Sequence, residues 1–209
     1  MPILLLIRHG ENDYTRTGRL AGRLPGIHLN ERGRQQAEDL GKALAEAPLS
    51  ALYSSPLERA MQTAEPIAKA RSLKITPMPG LMEANVGEWQ GKSIRRLALS
   101  KYWAIVQGAP SRARHPGGES FVEVQTRIVS TLELIVSRHK DRDLIACVFH
   151  SDPIKLAVAY FLGMPLDHFQ RLGCDTGSVT MLGISRSSAH LVWLNRRPPF
   201  EFPGHKRNK

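Results

Sequence analysis

The sequence predicts an α/β protein in which a mostly parallel central sheet is covered by helices on both faces, a three-layer α/β/α sandwich. Short apolar runs alternate with longer segments of helical periodicity along most of the 209 residues, which is typical of repeated βα units. The runs at 3–7 and 144–149 are continuously apolar, as expected for strands that are buried on both faces. No internal repeat interrupts the alternation, so we expect a single sandwich.

Six strands and five helices are expected along the chain. The strands are expected near residues 3–7, 51–54, 74–78, 144–149, 178–184 and 190–194. The helices are expected near residues 31–46, 57–71, 93–106, 119–139 and 153–162. Asn30 suits the N-cap of the first helix. An apolar stripe then follows on one face of that helix, at Ala37, Leu40, Ala43 and Leu44.

Composition indicates one folded domain followed by a short tail. The chain is 42% hydrophobic and 23% charged, and its length supports one substantial core. We assign the domain to residues 1–195. Residues 196–209 contain several prolines and carry five Lys or Arg against one Glu, which predicts a loosely ordered basic tail.

The net charge of +10 indicates anionic partners. The tail contributes +4 of this charge, five positive residues less one negative, and the excess elsewhere can steer small phosphate esters toward a pocket. Nucleic acid is the rival partner, but the body shows no recognised reader motif and no basic residues interleaved with aromatic ones. We therefore expect no nucleic-acid partner.

Cysteine usage and the amino-terminal residues bear on the compartment. Cys147 lies in an apolar run and Cys174 has no partner pattern, so we expect neither a disulfide framework nor a metal-ligand spacing. The apolar run at 3–7 is too short for a signal sequence or a membrane helix. A cytoplasmic protein without a membrane partner is expected.

Arg8, His9 and Gly10 directly follow the first apolar run, so we expect them at the carboxyl edge of the sheet, where α/β proteins bind ligands. An imidazole can attack phosphorus, and a neighbouring guanidinium can hold two phosphate oxygens. The three residues alone also fit a strand that merely ends on polar groups.

Two further segments supply residues of the same chemistry. Arg59 falls in the first turn of a predicted helix, where free N–H groups favour anions. The run at 144–149 ends on His150, so two apolar strands end on histidine. Asp152 and Pro153 then fit an N-cap and a first helical residue, which would aim another helix start at the same edge.

Five sequence blocks resemble the histidine phosphatase superfamily, in its phosphoglycerate-mutase-like branch. They are RHGEN from residue 8, LYSSPLERAMQTA from residue 52, MEANVGEWQG from residue 82, PGGES from residue 116 and VFHSDPIK from residue 148. Their order and spacing agree over nearly the whole chain. The resemblance implies the phosphoglycerate-mutase-like α/β/α fold, with residues 1–195 as a single catalytic domain.

The resemblance also implies a phosphate pocket. Its catalytic residues fall at Arg8, His9, Arg59, Glu83 and His150 of this chain. His9 is the implied nucleophile, and Glu83 is the implied proton donor to the leaving oxygen. Neither a metal nor a cofactor is implied.

Two implied substrate-binding positions depart from the family pattern. Thr15 stands where members often carry asparagine, and it has a shorter reach. Ser151 stands where members often carry glycine, and it keeps its backbone N–H. Both are expected to bind the phosphate together with Arg8, Arg59 and His150.

The expected reaction is hydrolysis of a small phosphate monoester through a phosphohistidine on His9. The stretch from Glu83 to His150 is compact compared with family mutases, which favours a phosphatase. A phosphoglycerate-type phosphomutase is the alternative. A non-catalytic phosphate-binding protein is a third reading, against which the presence of both nucleophile and acid argues. The expected partner is a small-molecule phosphate ester, and the oligomeric state stays open, with a homodimer among the options.

Other polar residues have weaker assignments. His115 precedes the PGGES block and is kept as a candidate substrate contact. Arg19 and Arg23 either extend the rim of the substrate pocket or are solvated loop residues. Glu119 fits the charge at a helix start better than it fits a catalyst.

Overall fold

The computed structural model describes residues 1–185 and 187–200, and its strands are short. They are β1 (Ile3–Arg8), β2 (Leu49–Ser54), β3 (Ile75–Pro77), β4 (Leu144–Phe149), β5 (Val179–Ile184) and β6 (Ala189–Arg196). Within these residues the strands form one sheet in the order β3-β2-β4-β1-β5-β6. β1 to β4 run parallel, and β5 is antiparallel to both of its neighbours. The predicted mostly parallel sheet is confirmed.

Helices cover both faces of this sheet. They are α1 (Asp13–Arg16), α2 (Glu31–Ala43), α3 (Glu58–Arg71), α4 (Ile94–Leu97), α5 (Lys101–Gly108), α6 (Phe121–Ser137) and α7 (Ser151–Phe161). α2 and α3 pack on one face, while α6 and α7 pack on the other. The three-layer sandwich is therefore confirmed. Across the described part of the chain, no helix combines the length and the apolarity needed to cross a bilayer.

Alternating side chains of β1 build the two halves of the core. Leu4 and Leu6 belong to the cluster under α6 and α7, whereas Leu5 and Ile7 belong to the cluster under α2 and α3. Successive strand residues point to opposite faces, so a strand covered on both sides must be apolar throughout. This is why residues 3–7 read as an unbroken apolar run.

The helix expected over residues 93–106 is two helices, α4 and α5. The chain turns between them because Ser100 starts a new helix, its Oγ accepting a hydrogen bond from the backbone N–H of Trp103 (3.2 Å). Leu97 and Val106 each bury a side chain in a third apolar cluster, which contains Trp89. One wall of the pocket described below comes from this region.

Helix α7 starts earlier than expected. His150 is its N-cap, with extended backbone angles (φ −128°, ψ 162°), and Ser151 is its first residue. The prediction that Asp152 caps this helix is therefore wrong. Asp152 lies inside the first turn and forms an ion pair with Lys155 (3.1 Å).

The beginning of the expected tail continues from the last strand. Arg197 forms an ion pair with Asp175 (3.0 Å), and the ring of Phe200 stacks on Trp193 with centroids 5.7 Å apart. Residues 201–209, which make up most of the expected tail, lie outside the described residues.

The register of the central strands fixes the position of the site. Arg8 of β1 lies beside Phe149 of β4, and Ser54 of β2 lies beside Val148. Parallel strands bring their carboxyl ends to one edge of a sheet. The residues that follow these three strands therefore meet at the same level.

Candidate active site

His9 follows β1 and is almost completely buried, with 3% of its surface exposed. Its Nδ1 lies 2.7 Å from the carbonyl oxygen of Gly10. Because a carbonyl only accepts, Nδ1 carries the proton and Nε2 carries the lone pair. Burial, followed by the charges of Arg59 and Arg8, holds the pKa of His9 well below its ordinary value of 6.5. His9 is therefore a neutral imidazole with an unprotonated Nε2, the form that can act as a nucleophile.

Arg59 lies in the first turn of α3, with only 1% of its surface exposed. Its Nε donates to Nε2 of His9 (3.3 Å), and its Nη2 donates to the carbonyl of Gly22 (2.8 Å). Thr63, one turn further along α3, accepts the Gly10 N–H (3.0 Å) and donates to the Arg59 carbonyl (2.7 Å). This threonine ties the start of α3 to the loop that carries His9.

Arg8 approaches the pocket from the end of β1. Its Nη1 donates to the carbonyl of Cys174 (2.6 Å), which fixes the guanidinium. The bond leaves the other nitrogens of the guanidinium available for an anion.

His150, the residue after β4, is fully buried. Its Nε2 is 2.8 Å from Oγ of Ser55, and the rings of His9 and His150 lie 5.2 Å apart. Ser55 Oγ also accepts the N–H of Leu57 (3.4 Å), and its own hydroxyl proton can be donated to Nε2 of His150. In the tautomer that accepts this proton in a hydrogen bond, Nδ1 of His150 carries the ring proton. Burial and the charge of Arg59 lower the pKa of His150 well below 6.5, so this imidazole is neutral as well.

Four buried nitrogen atoms near the pocket have no protein hydrogen-bond partner among the described residues. They are Nε of Arg8, Nδ2 of Asn12, Nη1 of Arg59 and Nδ1 of His150. Buried donors of this kind are nearly always paired in folded proteins. An oxygen-rich anion such as phosphate accepts hydrogen bonds from several directions and suits this set of donors.

Glu83 lines the same pocket. One carboxylate oxygen, Oε1, accepts the N–H of Ala84 (2.9 Å). Burial, followed by the negative charge of Asp152, raises the pKa of Glu83 to about 7, while the charge of Arg59 opposes both. A carboxyl group with this pKa holds a proton near neutral pH, as a general acid must.

The pocket is a cavity of about 290 Å³ at the carboxyl edge of the sheet. Apolar side chains in its lining come from Leu20, Val86, Ile94 and Trp103. Polar side chains in the lining come from Arg19, Gln107 and Gln170. A lining of this kind admits a small leaving group that has both apolar and polar parts.

The structure brings most of the predicted site residues together. Arg8, His9, Arg59, Glu83 and Ser151 line the cavity, and Thr15 does so too. The hydroxyl of Thr15 is engaged with Asn12, donating to its carbonyl (2.8 Å) and accepting its N–H (3.0 Å). Thr15 therefore completes the cap of α1 while it lines the pocket.

His115 lies elsewhere. Its ring packs against Trp89 (5.6 Å between centroids) and Phe121 (4.9 Å), and its Nδ1 lies 2.8 Å from the carbonyl of Glu119. It packs in the apolar cluster around Trp89 and is not part of the pocket lining. The structure therefore does not support His115 as a substrate contact.

Sequence reasoning missed several residues of the site. Asn12 is fully buried and lines the cavity, and Ser55 orients His150. Both lie inside sequence blocks that had been singled out, RHGEN and LYSSPLERAMQTA. Their roles depend on neighbours far along the chain, which the blocks alone do not identify. Over residues 1–185 and 187–200, no group of three or more His, Cys, Asp or Glu is placed to hold a metal ion.

The fold and the pocket define an enzyme that acts on phosphate esters. The chain belongs to the histidine phosphatase superfamily, because the model of branch 1 of that superfamily matches residues 4–197. The phosphoglycerate-mutase-like fold that the sequence implied is thereby confirmed.

Similar proteins include both phosphatases and mutases. Phosphoserine phosphatase 1 of Hydrogenobacter thermophilus is 31% identical over 198 residues, which cover 92% of this chain and 91% of the relative. The 2,3-bisphosphoglycerate-dependent phosphoglycerate mutase of Thermoplasma acidophilum is 30% identical over 184 residues, 88% of each chain. Among solved structures, Bacillus stearothermophilus YhfR superposes with a TM-score of 0.84 at 31% identity, covering 91% of this chain and 95% of that one.

Proposed function

We propose that this protein is a metal-independent phosphatase that hydrolyses a small phosphate monoester through a phosphohistidine on His9. The observation that carries the proposal is the state of His9. Its Nδ1 is committed to the Gly10 carbonyl, and its unprotonated Nε2 lies beside the guanidinium of Arg59. A neutral imidazole oriented in this way is a nucleophile prepared for attack on phosphorus.

In the first step, Nε2 of His9 attacks phosphorus and forms a P–N bond. The bond between phosphorus and the bridging ester oxygen breaks, and its electron pair goes to that oxygen. Glu83 donates its proton there, so the product leaves as a neutral alcohol. The step ends with a phosphohistidine and the Glu83 carboxylate.

In the second step, water attacks the phosphorus of the phosphohistidine. Glu83, now a carboxylate, accepts a proton from that water, and the P–N bond breaks with its electron pair returning to Nε2. Inorganic phosphate leaves, and both His9 and Glu83 regain their starting protonation states. One pKa near 7 serves both roles, because such a group gives and accepts protons readily at neutral pH.

The remaining pocket residues stabilise the transferring group. Arg8 and Arg59 supply fixed positive charge to the equatorial oxygens, which is the main source of catalysis for a loose phosphoryl transition state. Nδ1 of His150 and the backbone N–H of Ser151, the first residue of α7, add donors without adding charge. Thr15 is assigned to the edge of the phosphate site, where its backbone N–H donates to Oδ1 of Asn12 (2.9 Å) and so orients Nδ2 of Asn12, an unpartnered donor among the described residues, for the phosphate.

A phosphomutase is the second candidate, because a mutase shares 30% identity with this chain over nearly its full length. A mutase would use the same phosphohistidine and pass the phosphoryl group to a second hydroxyl in place of water. The two reactions differ in the acceptor, which the wall of the pocket controls.

The test is a panel of phosphate monoesters that includes phosphoserine, 3-phosphoglycerate and nitrophenyl phosphate. In the presence of a chelator and without a bisphosphorylated cofactor, we expect release of inorganic phosphate by the wild type and none by His9→Ala. A parallel assay with added 2,3-bisphosphoglycerate tests the alternative: if isomerisation of phosphoglycerate then greatly exceeds phosphate release, the mutase is correct. If His9→Ala retains turnover on every ester, the proposed nucleophile is wrong.

A further inference from the structure

Residues 80–85, the acid loop, carry Glu83 into the pocket. The loop has no regular secondary structure after the short 3-10 turn at Pro79–Leu81. Backbone groups outside helices and strands need other partners when they are shielded from water. In this loop the partners are charged side chains that come from two distant parts of the chain.

Arg127, on α6, holds three acceptors of the acid loop. Its Nη1 donates to the carbonyls of Gly80 (2.8 Å) and Met82 (2.9 Å), and its Nη2 lies 3.5 Å from the carbonyl of Glu83. The planar fork of a guanidinium makes such a set possible, whereas an ammonium group could not span it.

Arg23 reaches the same peptide from another part of the chain. Its Nε donates to the carbonyl of Glu83 (2.8 Å). The preceding residue, Gly22, accepts a hydrogen bond from Arg59 (2.8 Å). Arg23 therefore links the backbone of the acid to the loop that holds the guanidinium beside the nucleophile.

Glu119 joins these two arginines. Its Oε2 accepts from Nη2 of Arg23 (2.8 Å) and from Nη2 of Arg127 (3.0 Å), and its Oε1 accepts from Nε of Arg127 (3.0 Å). Oε2 also accepts the N–H of Asn85 (2.8 Å), and the N–H of Glu119 donates back to the Asn85 carbonyl (2.8 Å). The three side chains are 21–26% exposed, so the network is mostly shielded from solvent.

The loop before Glu119 packs directly on the acid loop. A Cβ at Gly118 would lie 2.1 Å from the carbonyl oxygen of Asn85, so only glycine allows this approach. Burial raises the pKa of Glu119, but hydrogen bonds from Arg127 and from the Asn85 N–H outweigh it and lower the pKa below its ordinary value. Glu119 is thus a carboxylate across the neutral range.

We propose that Glu119 is a positioning residue for the proton donor: through Arg23 and Arg127 it fixes the peptide of Glu83, so that the carboxyl reaches the bridging oxygen of the ester. This inference rests on the proposed acid role of Glu83. Proton transfer requires an approach within hydrogen-bond distance, and an error of about 1 Å can cost on the order of 10²-fold in rate. A residue that sets the distance between the Glu83 carboxyl and the bridging oxygen should therefore affect the rate only for esters whose leaving group needs a proton.

The test compares Glu119→Gln with wild type on two esters that differ in this need. The substitution keeps the shape of the side chain but removes its charge, and it replaces one acceptor oxygen by an NH2 group that cannot accept, so the four hydrogen bonds that Glu119 accepts cannot all form. We expect kcat/KM for an alkyl phosphate to fall by about tenfold or more, and single-turnover transfer from nitrophenyl phosphate to fall less than about threefold. Glu123→Gln is the matched control, because Glu123 is on α6 and also pairs with an arginine, Arg114, but it has no bond to the acid loop.

Making Glu119→Gln in a Glu83→Gln background separates an effect on the position of Glu83 from a general effect on the stability of the protein. If Glu119 acts through Glu83, adding Glu119→Gln to Glu83→Gln should cause no further loss on the alkyl phosphate. Additive losses, or equal losses on the two esters, would overturn the proposal. A Glu83→Gln variant that itself loses equally on both esters would instead overturn the acid role of Glu83. Thermal unfolding checks that each variant folds, and Arg127→Lys, which keeps the charge but loses the fork, provides the same test if Glu119→Gln does not fold.

Discussion

Arg59 donates its Nε–H to Nε2 of His9 across 3.3 Å, so the charge that we propose stabilises the phosphoryl group is already in contact with the proposed attacking atom. The same guanidinium donates to the Gly22 carbonyl, and Nδ1 of His9 donates to Gly10. Neither side chain can rotate without breaking a second bond. The pair is therefore organised before any ester binds, as electrostatic stabilisation of a transition state requires.

Replacing Arg59 by lysine should reduce kcat/KM by about 10²-fold or more, because a single ammonium cannot contact His9, Gly22 and a phosphate oxygen at once. Steady-state kinetics on the best ester of the panel measures this. Arg71→Lys is the matched control, since Arg71 lies at the far end of the same helix and contacts only the Ala45 carbonyl among the bonds described. A loss below tenfold for Arg59→Lys would argue against its direct role.

The phosphoenzyme should be chemically identifiable. Brief incubation with a ³²P-labelled ester, followed by denaturation, should leave an acid-labile, base-stable label on His9, as expected for a phosphoramidate bond. His9→Ala should carry no label, whereas His150→Ala should still be labelled on His9, more slowly, because the role proposed for His150 is to bind the phosphate and not to attack it. A label on a serine, or on His150 in the wild type, would contradict the proposed nucleophile.

The pH dependence should differ between esters. Glu83 must be protonated to assist an alkyl leaving group, and burial and the charge of Asp152 raise its pKa to about 7. We expect kcat/KM for an alkyl phosphate to fall as the pH rises through about 7. Glu83→Gln should abolish this alkaline limb and slow the reaction by about 10²-fold or more. The transfer step with nitrophenyl phosphate should show little of either effect, because nitrophenolate leaves without a proton.

The free energy of unfolding should also depend on pH through the protonation of Glu83. The pKa of Glu83 rises from 4.5 to about 7 on folding, so its contribution to stability is present below 4.5 and is lost as the pH rises through about 7. Since Glu83 is partly exposed to the pocket, we expect a loss of about 1–2 kcal/mol. Glu83→Gln should therefore raise the free energy of unfolding relative to wild type at pH 8 but not at pH 5, as measured by urea denaturation. A difference that does not depend on pH would refute this assignment.

Metal removal and a transition-state mimic give a further test. Extensive dialysis against a chelator should leave activity unchanged, and vanadate, which adopts five-coordinate geometry, should inhibit at concentrations well below those of inorganic phosphate. Loss of activity on dialysis that magnesium restores would mean that the reaction depends on a metal.

The sequence predicted the parts of the site that follow directly from local pattern. His9 and His150 each come after an unbroken apolar run, and the alternation of strands and helices places such run ends at one edge of a sheet. Arg59 could be placed because helix starts are recognisable locally. The fold and the set of residues around the pocket could therefore be predicted from local sequence patterns together with the resemblance to the histidine phosphatase superfamily.

Contacts between distant loops could not be predicted in this way. Arg23 was assigned to a rim or to solvent, yet it donates to the carbonyl of Glu83, 60 positions along the chain, and to Glu119, 96 positions along. Glu119 was assigned to a helix start, yet its carboxylate binds two arginines. No local sequence pattern specifies which loops meet above a sheet. The partner of a charged side chain in such a loop can therefore be identified only once the fold is known.

The central place of β4 in the sheet has a consequence for biosynthesis. β4 separates β2 from β1 in space but follows β2 by about 90 residues in sequence. At translation rates of about 5–20 residues per second, a nascent chain carries β1 and β2 for roughly 5–20 seconds with no strand to pair between them. Their unpaired backbone N–H and C=O groups are exposed to other chains during that interval. The two histidines at the ends of β1 and β4 therefore come together only after residues 144–149 have been made and have joined the sheet.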